Sequence, residues 1–344
     1  MSDAVYTRTL DELRQGDSGT FGGKSSALGE LIAAGIPVPP GFAVSTSAFR
    51  AFVEEAGLAG MIAAEVSRMS PGDVDSVGGA SHAISQAMRF APIPDAVRDE
   101  VGRRYAELGE PPVAVRSSAL GEDSQDATFA GQQETYLWVR GADHVCDALR
   151  DCWVSLYSPP AIAYRARLSD GEEPAMGVAV QQMVDAEVSG VLFTCNPVSG
   201  DPSMVAVNAS WGLGLAVVGG EVTPDDYLVS KVTREVVREH VHTKHVQYVP
   251  DAGGRGAVRV DVPEERRGVA CLDAAALERL VEVAGRIERY FGSHQDVEWV
   301  IARDGALFVV QSRPVTAVRK PASTTATSAM ALVMSAFGAA KKES

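Results

Sequence analysis

The sequence is poor in cysteine and shows no pairing pattern among the cysteines it has. Its 344 residues include four, Cys146, Cys152, Cys195 and Cys271. None forms a CxxC pair, and none has histidine partners at metal-ligand spacing, so neither a disulfide scaffold nor a zinc site is predicted. We therefore expect reduced, mostly buried thiols in a cytoplasmic protein.

The chain also lacks a long apolar run and an excess of basic residues. No segment reaches the roughly 18–20 apolar residues of a membrane span, and the first residues contain no apolar signal core. Lys and Arg number 31 against 45 Asp and Glu, for a formal net charge of -14. This acidity argues against nucleic acid or an anionic membrane as partner. A few placed Arg and Lys residues can still form a local pocket for an anionic ligand.

The hydrophobic pattern changes period along the chain, which predicts an α+β protein. With 46% hydrophobic residues, the chain is long enough to bury a large core. Helical spacing predicts helices at residues 24–34, 47–56, 95–108, 143–156 and 273–290. Short runs rich in Val, Leu and aromatics predict strands at residues 112–118, 134–139, 176–184, 189–194, 204–208, 227–231 and 246–249. We expect one lobe over residues 1–196, a second over 197–316, and a low-complexity tail over 317–344.

Two basic residues are candidates for phosphate binding. Lys24 follows Gly22-Gly23 and opens a helix, where backbone amides and the helix N-terminus favour an anion. The GxxxxGK[ST] spacing of a Walker P-loop is absent, so this motif alone is weak. Arg116 lies near the end of an apolar strand and carries a guanidinium suited to bidentate phosphate recognition. A surface salt bridge is the alternative for Arg116.

Two further segments are candidates for holding a nucleotide. Residues 124–134, which include Gly131 and Gln132, are small and polar and could close over phosphates as a lid. An ordinary loop is the alternative. In the strand that contains Gln181, Met183 and Val184, backbone groups and apolar faces could hold an adenine ring. Met183 could equally be a plain core residue.

The last two predicted strands flank the turn Arg303-Asp304-Gly305, which predicts a β-hairpin. Glu298 and Gln311 would then lie side by side on adjacent strands. Their two oxygen ligands suit Mg²⁺, which binds few protein groups and keeps nucleotide phosphates as further ligands. Arg313 would reach the same phosphates. A cross-strand polar pair without a metal is the alternative.

Taken together, these stretches resemble the N-terminal nucleotide-binding domain shared by phosphoenolpyruvate synthase, pyruvate phosphate dikinase and rifampicin phosphotransferase. The matching segments are GGKSSALGELIAAGIPVPPGFAVS, AVRSSALGEDS, FAGQQETYL, QQMVDAEVSGVLFTCNP, NASWGLG with VTPDDYLV, and DVEWVIARDGALFVVQSRPV. They occur in the family's order and cover residues from about 20 to 315.

The resemblance implies an ATP-grasp-like fold whose two lobes close on ATP, with Mg²⁺ as cofactor. By position it assigns phosphate binding to Lys24, Arg116 and Arg313, and Mg²⁺ to Glu298 and Gln311. It likewise assigns adenine contacts to Gln181, Met183 and Val184, and the phosphate lid to Gly131 and Gln132. In the family reaction, ATP is cleaved to AMP and phosphate, and a histidine on a mobile swivel domain takes the β-phosphoryl group.

The sequence departs from the family pattern in two respects. None of its histidines, His82, His144, His240, His242, His245 and His294, lies in a Thr-x-His-Ala carrier motif. His240 and His242 alternate, which predicts one solvated face of a strand rather than a metal site. In addition, Leu215 follows the GLG segment where the family usually has Glu, which could alter metal or water handling.

The missing carrier motif leads us to expect the ATP-binding subunit of a split enzyme, working with a separate chain that bears the phosphohistidine swivel domain and the acceptor site. A known split member is phenylphosphate synthase, which phosphorylates phenol, and this is the leading specific hypothesis. The alternatives are a part of pyruvate, water dikinase or rifampicin phosphotransferase, and a non-catalytic ATP-sensing module.

Overall fold

The computed structural model describes residues 5–119, 134–168, 174–253 and 256–315. The described residues form two compact units, one within Met1–Gly29 and Pro40–Met183, the other within Glu30–Pro39 and Val184–Ser344. Both units combine helices with antiparallel sheets, so the α+β prediction is confirmed. Across the described part of the chain, no helix is long and apolar enough to cross a membrane.

The first unit is built on a five-stranded sheet of order β1-β2-β5-β3-β4, in which all neighbours are antiparallel. Its strands are β1 (Thr7–Thr9), β2 (Gly41–Val44), β3 (Val113–Ala119), β4 (Thr135–Val139) and β5 (Met176–Gln182). Its described helices are α1 (Ser18–Phe21), α2 (Gly23–Ala33), α3 (Thr46–Glu55), α4 (Ala59–Arg68), α5 (Val74–Phe90), α6 (Asp95–Glu107), α7 (Ala142–Ser155) and α8 (Pro159–Leu168).

The core of the first unit lies between one face of this sheet and helices α3 to α8. Alternate strand residues such as Val113 and Val115 point into it, as the period of a strand requires. On the helical side, the Trp153 ring stacks on Phe52 with centroids 5.1 Å apart. This face is mostly apolar, with Thr7 of β1 as an exception whose Oγ1 donates to Glu100 of α6 at 2.8 Å.

The second unit is built on a six-stranded sheet of order β13-β12-β6-β7-β8-β9. Its strands are β6 (Ala186–Phe193), β7 (Met204–Trp211), β8 (Asp225–Ser230), β9 (Val236–His240), β12 (Gln295–Ala302) and β13 (Leu307–Pro314), beside a separate hairpin of β10 (Val246–Pro250) and β11 (Ala257–Asp261). Its described helices are α9 (Leu215–Val218), α10 (Glu264–Arg267) and α11 (Ala274–Phe291).

Helix α11 shows how local sequence sets an element of this unit. The Asp273 side chain accepts a hydrogen bond from the Ala276 amide at 2.7 Å and caps the N-terminus. At the other end, Gly292 takes a left-handed conformation with φ of 67°, which ends the helix. Between these caps, apolar residues at helical spacing are buried, and the helix packs against β12.

Most helices and strands predicted from periodicity are found within one to three residues at their ends. The predicted hairpin is confirmed, with Gly305 at φ 83° in the turn between β12 and β13. Helix α5 is missing from the prediction, because Gly78 and Gly79 lower its helix propensity. It forms nevertheless, and it buries Ile84 and Met88 completely.

The division between the units differs from the expected boundary after residue 196. It falls at Met183, because β6 pairs with β7 and β12 in the second sheet. Residues 30–39 also belong to the second unit, where the Val309 amide donates to the Pro37 carbonyl at 2.8 Å. The predicted strand through His240 and His242 is wrong at its end, since β9 stops at His240.

Candidate functional site

In the first unit, the face of the sheet opposite the helical core is lined by small residues around a few polar ones. Register places Ala114 beside Gln181 and Arg116 beside Ala179. Because residues directly opposite on antiparallel strands share a face, Arg116 and Gln181 lie on the same face. Gln181 is buried and Arg116 is half-buried. We call these residues, together with Lys24, the Arg116 face.

Glycine is required where the chain enters α2 above this face. Gly22 has φ of 84°, and a Cβ there would lie 2.1 Å from the Ser118 carbonyl oxygen. Both facts exclude any larger residue without a shift of backbone. The close approach brings the half-buried Lys24 onto β3, where its Nζ donates to the Ser117 carbonyl oxygen at 3.0 Å. The Lys24 ammonium therefore binds the residue that directly follows Arg116.

The strand predicted to line an adenine is β5 and its continuation. Its Gln182 amide donates to the Pro40 carbonyl and its Met183 amide to the Pro112 carbonyl, at 2.8 and 2.9 Å. The Gln182 and Met183 amides are thus engaged in main-chain bonding and are not free to bind a base. Val184 belongs to the second unit. Gly131 and Gln132 lie outside the described residues.

In the second unit, the β12–β13 hairpin brings four polar side chains together on one face of the six-stranded sheet. Glu298 lies directly opposite Gln311, and Asp296 directly opposite Arg313. The first pairing is the one predicted from the hairpin. Glu298, Gln311 and Arg313 are half-buried. We call these four residues the Glu298 face.

Asp296 was not assigned a role in the sequence analysis. Both Nε and a terminal nitrogen of Arg313 lie 2.9 Å from its Oδ2, so the carboxylate fixes the direction of the guanidinium. Its Oδ1 has no hydrogen bond among the described residues. Burial, with a smaller contribution from Glu298, raises the pKa of Asp296 to about 6, although Arg313 acts against this. Its spacing of two from Glu298 was the signal that could have identified it.

The Glu298 face has the chemistry that Mg²⁺ requires. A carboxylate and an amide oxygen project from directly paired residues, whose Cβ atoms are about 5 Å apart in such a pair. Mg²⁺ prefers oxygen ligands, binds through one or two protein groups, and takes phosphate oxygens and waters as the rest. The described residues contain no group of three His, Cys, Asp or Glu side chains able to enclose a metal. The arrangement therefore fits a cation that arrives with phosphates.

Leu215 lies at the start of the short helix α9 and is half-buried. Its neighbour Gly214 is close to β6, because a Cβ there would lie 3.7 Å from Ser189 Oγ. Leu215 brings no ligand atom to this part of the unit. The side chains predicted to bind a cation on the Glu298 face are therefore Glu298 and Gln311, without a third carboxylate at position 215.

Residues 18–332 match the protein family described as "Pyruvate phosphate dikinase, AMP/ATP-binding domain". This match spans most of the chain, and the chain belongs to that family. It is thus an ATP-binding module of the dikinase type, as the resemblance predicted.

Curated proteins similar to this chain include known and probable phosphoenolpyruvate synthases. The chain is 38% identical over 318 residues to a probable phosphoenolpyruvate synthase of Methanocaldococcus jannaschii, covering 90% of this chain and 27% of that protein. It is 36% identical to the probable enzyme of Methanothermobacter thermautotrophicus, covering 97% and 49%. With the phosphoenolpyruvate synthase of Pyrococcus furiosus it shares 37% identity, covering 92% and 44%.

The chain therefore spans half or less of the length of these three relatives. Among solved structures, PH1788 from Pyrococcus horikoshii Ot3 is similar with a TM-score of 0.32 and 12% identity, covering 70% of this chain and 87% of that one.

Proposed function

We propose that this chain is the ATP-binding catalytic part of a dikinase with an ATP-grasp-like fold, converting ATP, an acceptor and water into AMP, phosphate and a phosphorylated acceptor. The observation that carries the proposal is the Glu298 face. It pairs an Mg²⁺-compatible carboxylate and amide with an arginine whose direction is fixed by Asp296. Family membership supports ATP as the nucleotide.

Each predicted site residue has a role in this proposal. Lys24, Arg116 and Arg313 bind phosphate oxygens and neutralise the charge that phosphoryl transfer spreads over them. Glu298 and Gln311 bind Mg²⁺, which would bridge phosphate oxygens when it is bound. Gln181, Met183 and Val184 contact the adenine, and Gly131 and Gln132 cover the phosphates.

The phosphoryl carrier is proposed to be a histidine outside these 344 residues, on a separate subunit with the swivel domain and the acceptor site. It would take the β-phosphoryl group with loss of AMP, and water would release the γ-phosphate. The support is that no histidine of this sequence lies in a carrier motif. Two described ones also have local partners, His294 with Glu288 and His144 with the Arg140 carbonyl.

The proposed acceptor is phenol, as in phenylphosphate synthase. Pyruvate is the alternative supported by relatives named phosphoenolpyruvate synthase. An antibiotic such as rifampicin is a further alternative from the family resemblance. A module that only senses ATP is disfavoured, because sensing would not need the phosphate-binding and metal-binding residues together.

The test is transfer of label from ATP in native extract. ATP carrying label in the β-phosphate or, separately, in the γ-phosphate is supplied, and the polypeptide that retains acid-labile label is identified. We expect β-label on a histidine of a second chain, dependent on this one. A protein changed at Glu298 to Ala provides the control that should transfer no label.

The possible results separate the parts of the proposal. Label on a larger polypeptide that contains this sequence would support the dikinase reaction but would show that the carrier is not on a separate subunit. Absence of β-label from every polypeptide would reject the dikinase reaction. Adding phenol or pyruvate to the labelled carrier then identifies the acceptor by which of the two removes the label.

A further inference from the structure

Asn208 lies in the same row of side chains as the proposed metal ligands. The register runs from Asp226 on β8 through Asn208 on β7 and Val191 on β6 to Glu298 on β12 and Gln311 on β13. Residues directly opposite one another on antiparallel strands project from the same face. Asn208 is therefore on the face that carries Glu298 and Gln311.

The environment of Asn208 leaves its polar group without a structural role. The side chain is only 5% exposed, and its carboxamide makes no hydrogen bond within the described part of the chain. Its neighbour Asp226 is occupied by Arg238, whose Nε and a terminal nitrogen lie 3.1 and 2.8 Å from Asp226 Oδ1. On the other side, Val191 offers no hydrogen-bonding group. The Asn208 carboxamide therefore keeps its hydrogen-bonding capacity for a group that reaches this face of the sheet.

The separation between Asn208 and Glu298 determines how the amide can take part. Neighbouring strands lie about 4.8 Å apart, so these two backbones, with β6 between them, are about 10 Å apart. If Asn208 and Glu298 both bound one ion directly, their side chains and two metal–oxygen contacts of about 2.1 Å would have to bridge this separation. A water bound to the ion adds a hydrogen bond of about 2.8 Å to that reach. Mg²⁺ retains several waters, so such a water is available.

We propose that the Asn208 carboxamide oxygen accepts a hydrogen bond from a water in the hydration shell of the divalent cation held by Glu298 and Gln311. This deepens the proposed function and rests on it. Asn208 is a positioning residue, since it acts through a water rather than on the nucleotide. Asn208 and Gln311 are neutral amides, so Glu298 supplies the single negative charge among the three residues. Tight binding of the cation therefore depends on the charge of the nucleotide phosphates.

The experiment measures binding of Mn²⁺, a spectroscopically visible substitute for Mg²⁺, by electron paramagnetic resonance. Binding is measured for the full chain with and without the non-hydrolysable β,γ-imido analogue of ATP. Asn208→Ala removes the acceptor, and Asn208→Asp replaces it by a charged one of nearly the same shape. Asn196→Asp makes the same chemical change at a turn, where Asn196 Oδ1 accepts from the Val198 and Ser199 amides. Circular dichroism checks that each variant is folded.

We expect Asn208→Ala to weaken Mn²⁺ binding in the presence of the analogue by about 10-fold, the usual effect of losing a group that orients a metal's ligands. Asn208→Asp should tighten Mn²⁺ binding without nucleotide by about 10-fold, because an added carboxylate stabilises the cation. Asn196→Asp should match the unchanged protein. If Asn208→Ala fails to fold, the nearly isosteric Asn208→Asp variant still shows whether Mn²⁺ affinity rises or falls.

Two results would overturn the inference while leaving the proposed function intact. One is binding by both Asn208 variants that equals binding by the unchanged protein. The other is weaker binding of the Mn²⁺–analogue complex by Asn208→Asp, which would mean that the amide nitrogen donates to a phosphate instead. If the unchanged protein binds no Mn²⁺–analogue complex, the proposed function fails and the inference fails with it.

Discussion

Replacing Lys244 by Met should strongly destabilise the second unit. Lys244 and Asp225 form an ion pair in which both side chains are 0% exposed. The Lys244 ammonium also donates to the His242 carbonyl at 2.7 Å, while Asp225 accepts from the amides of His242 and Cys271 at 2.9 and 2.8 Å. The pair therefore ties two loop segments to the start of β8, next to Asp226. Met keeps most of the apolar stem of Lys and removes the charge.

The magnitude follows from what Lys244→Met leaves behind. A buried carboxylate without its cation costs about 3–5 kcal/mol. Changing both residues, in Asp225→Asn with Lys244→Met, removes both charges and keeps one acceptor oxygen for one of the two backbone amides. The remaining loss is then about 1–3 kcal/mol, the cost of imperfect buried hydrogen bonding. The double variant should thus be more stable than the single Lys244 variant.

The assay is urea unfolding at 25 °C followed by tryptophan fluorescence, because Trp211 and Trp299 are both buried in the second unit. Arg303→Ala is the matched control, since Arg303 pairs with Asp185 and Glu187 while 54% exposed. Such an exposed pair contributes about 0–1 kcal/mol. A loss below about 1 kcal/mol for Lys244→Met, or a double variant less stable than the single one, would refute the reasoning.

Three further predictions concern the site and the thiols. Glu298→Ala should abolish AMP formation and leave the circular dichroism spectrum unchanged, and normal turnover would remove its metal assignment. Gly22→Ala should weaken ATP binding by about 5-fold or more, through at least about 1 kcal/mol of backbone strain and the contact with Ser118. Gly19→Ala, with open space around it, should not. In the native protein all four cysteines should resist a thiol reagent at pH 8, because burial raises the pKa of each thiol, that of Cys146 to about 11. Prompt labelling of one thiol at pH 8 would contradict the expected protection. The folded state also keeps these thiol protons at a pH where the unfolded state loses them, so the free energy of unfolding should fall as pH rises from about 9 to 11.

Much of the local structure is predictable because it depends on neighbours in the chain. The pattern around Arg303-Asp304-Gly305 predicts the hairpin, and the hairpin alone places Glu298 opposite Gln311. Asp273 and Gly292 mark the ends of α11 for the same reason. Hydrogen bonds between near neighbours and the twofold or 3.6-fold repeat of apolar residues carry this information.

The position of the unit boundary and the polar rows of the two sheets could not be read in this way. Strand β6 follows β5 closely along the chain, yet it pairs in the other sheet, with β12 more than a hundred residues away. Periodicity reports which side of a strand is apolar and says nothing about which strand lies beside it. For this reason Asn208 carries no signal as a single residue and acquires one only from its register with Val191 and Glu298.

The sequence by itself determined the family and the helices and strands with strong periodicity, and it predicted which side chains would bind phosphate and metal. Only the tertiary structure decided the burial of Asp296 against Arg313, the Lys244–Asp225 pair and the register that places Asn208 in one row with Glu298 and Gln311. The physical reason is that residue type specifies which charges and donors are present. Long-range strand pairing then sets their neighbours and their exposure to water, and these two quantities control pKa, affinity and stability.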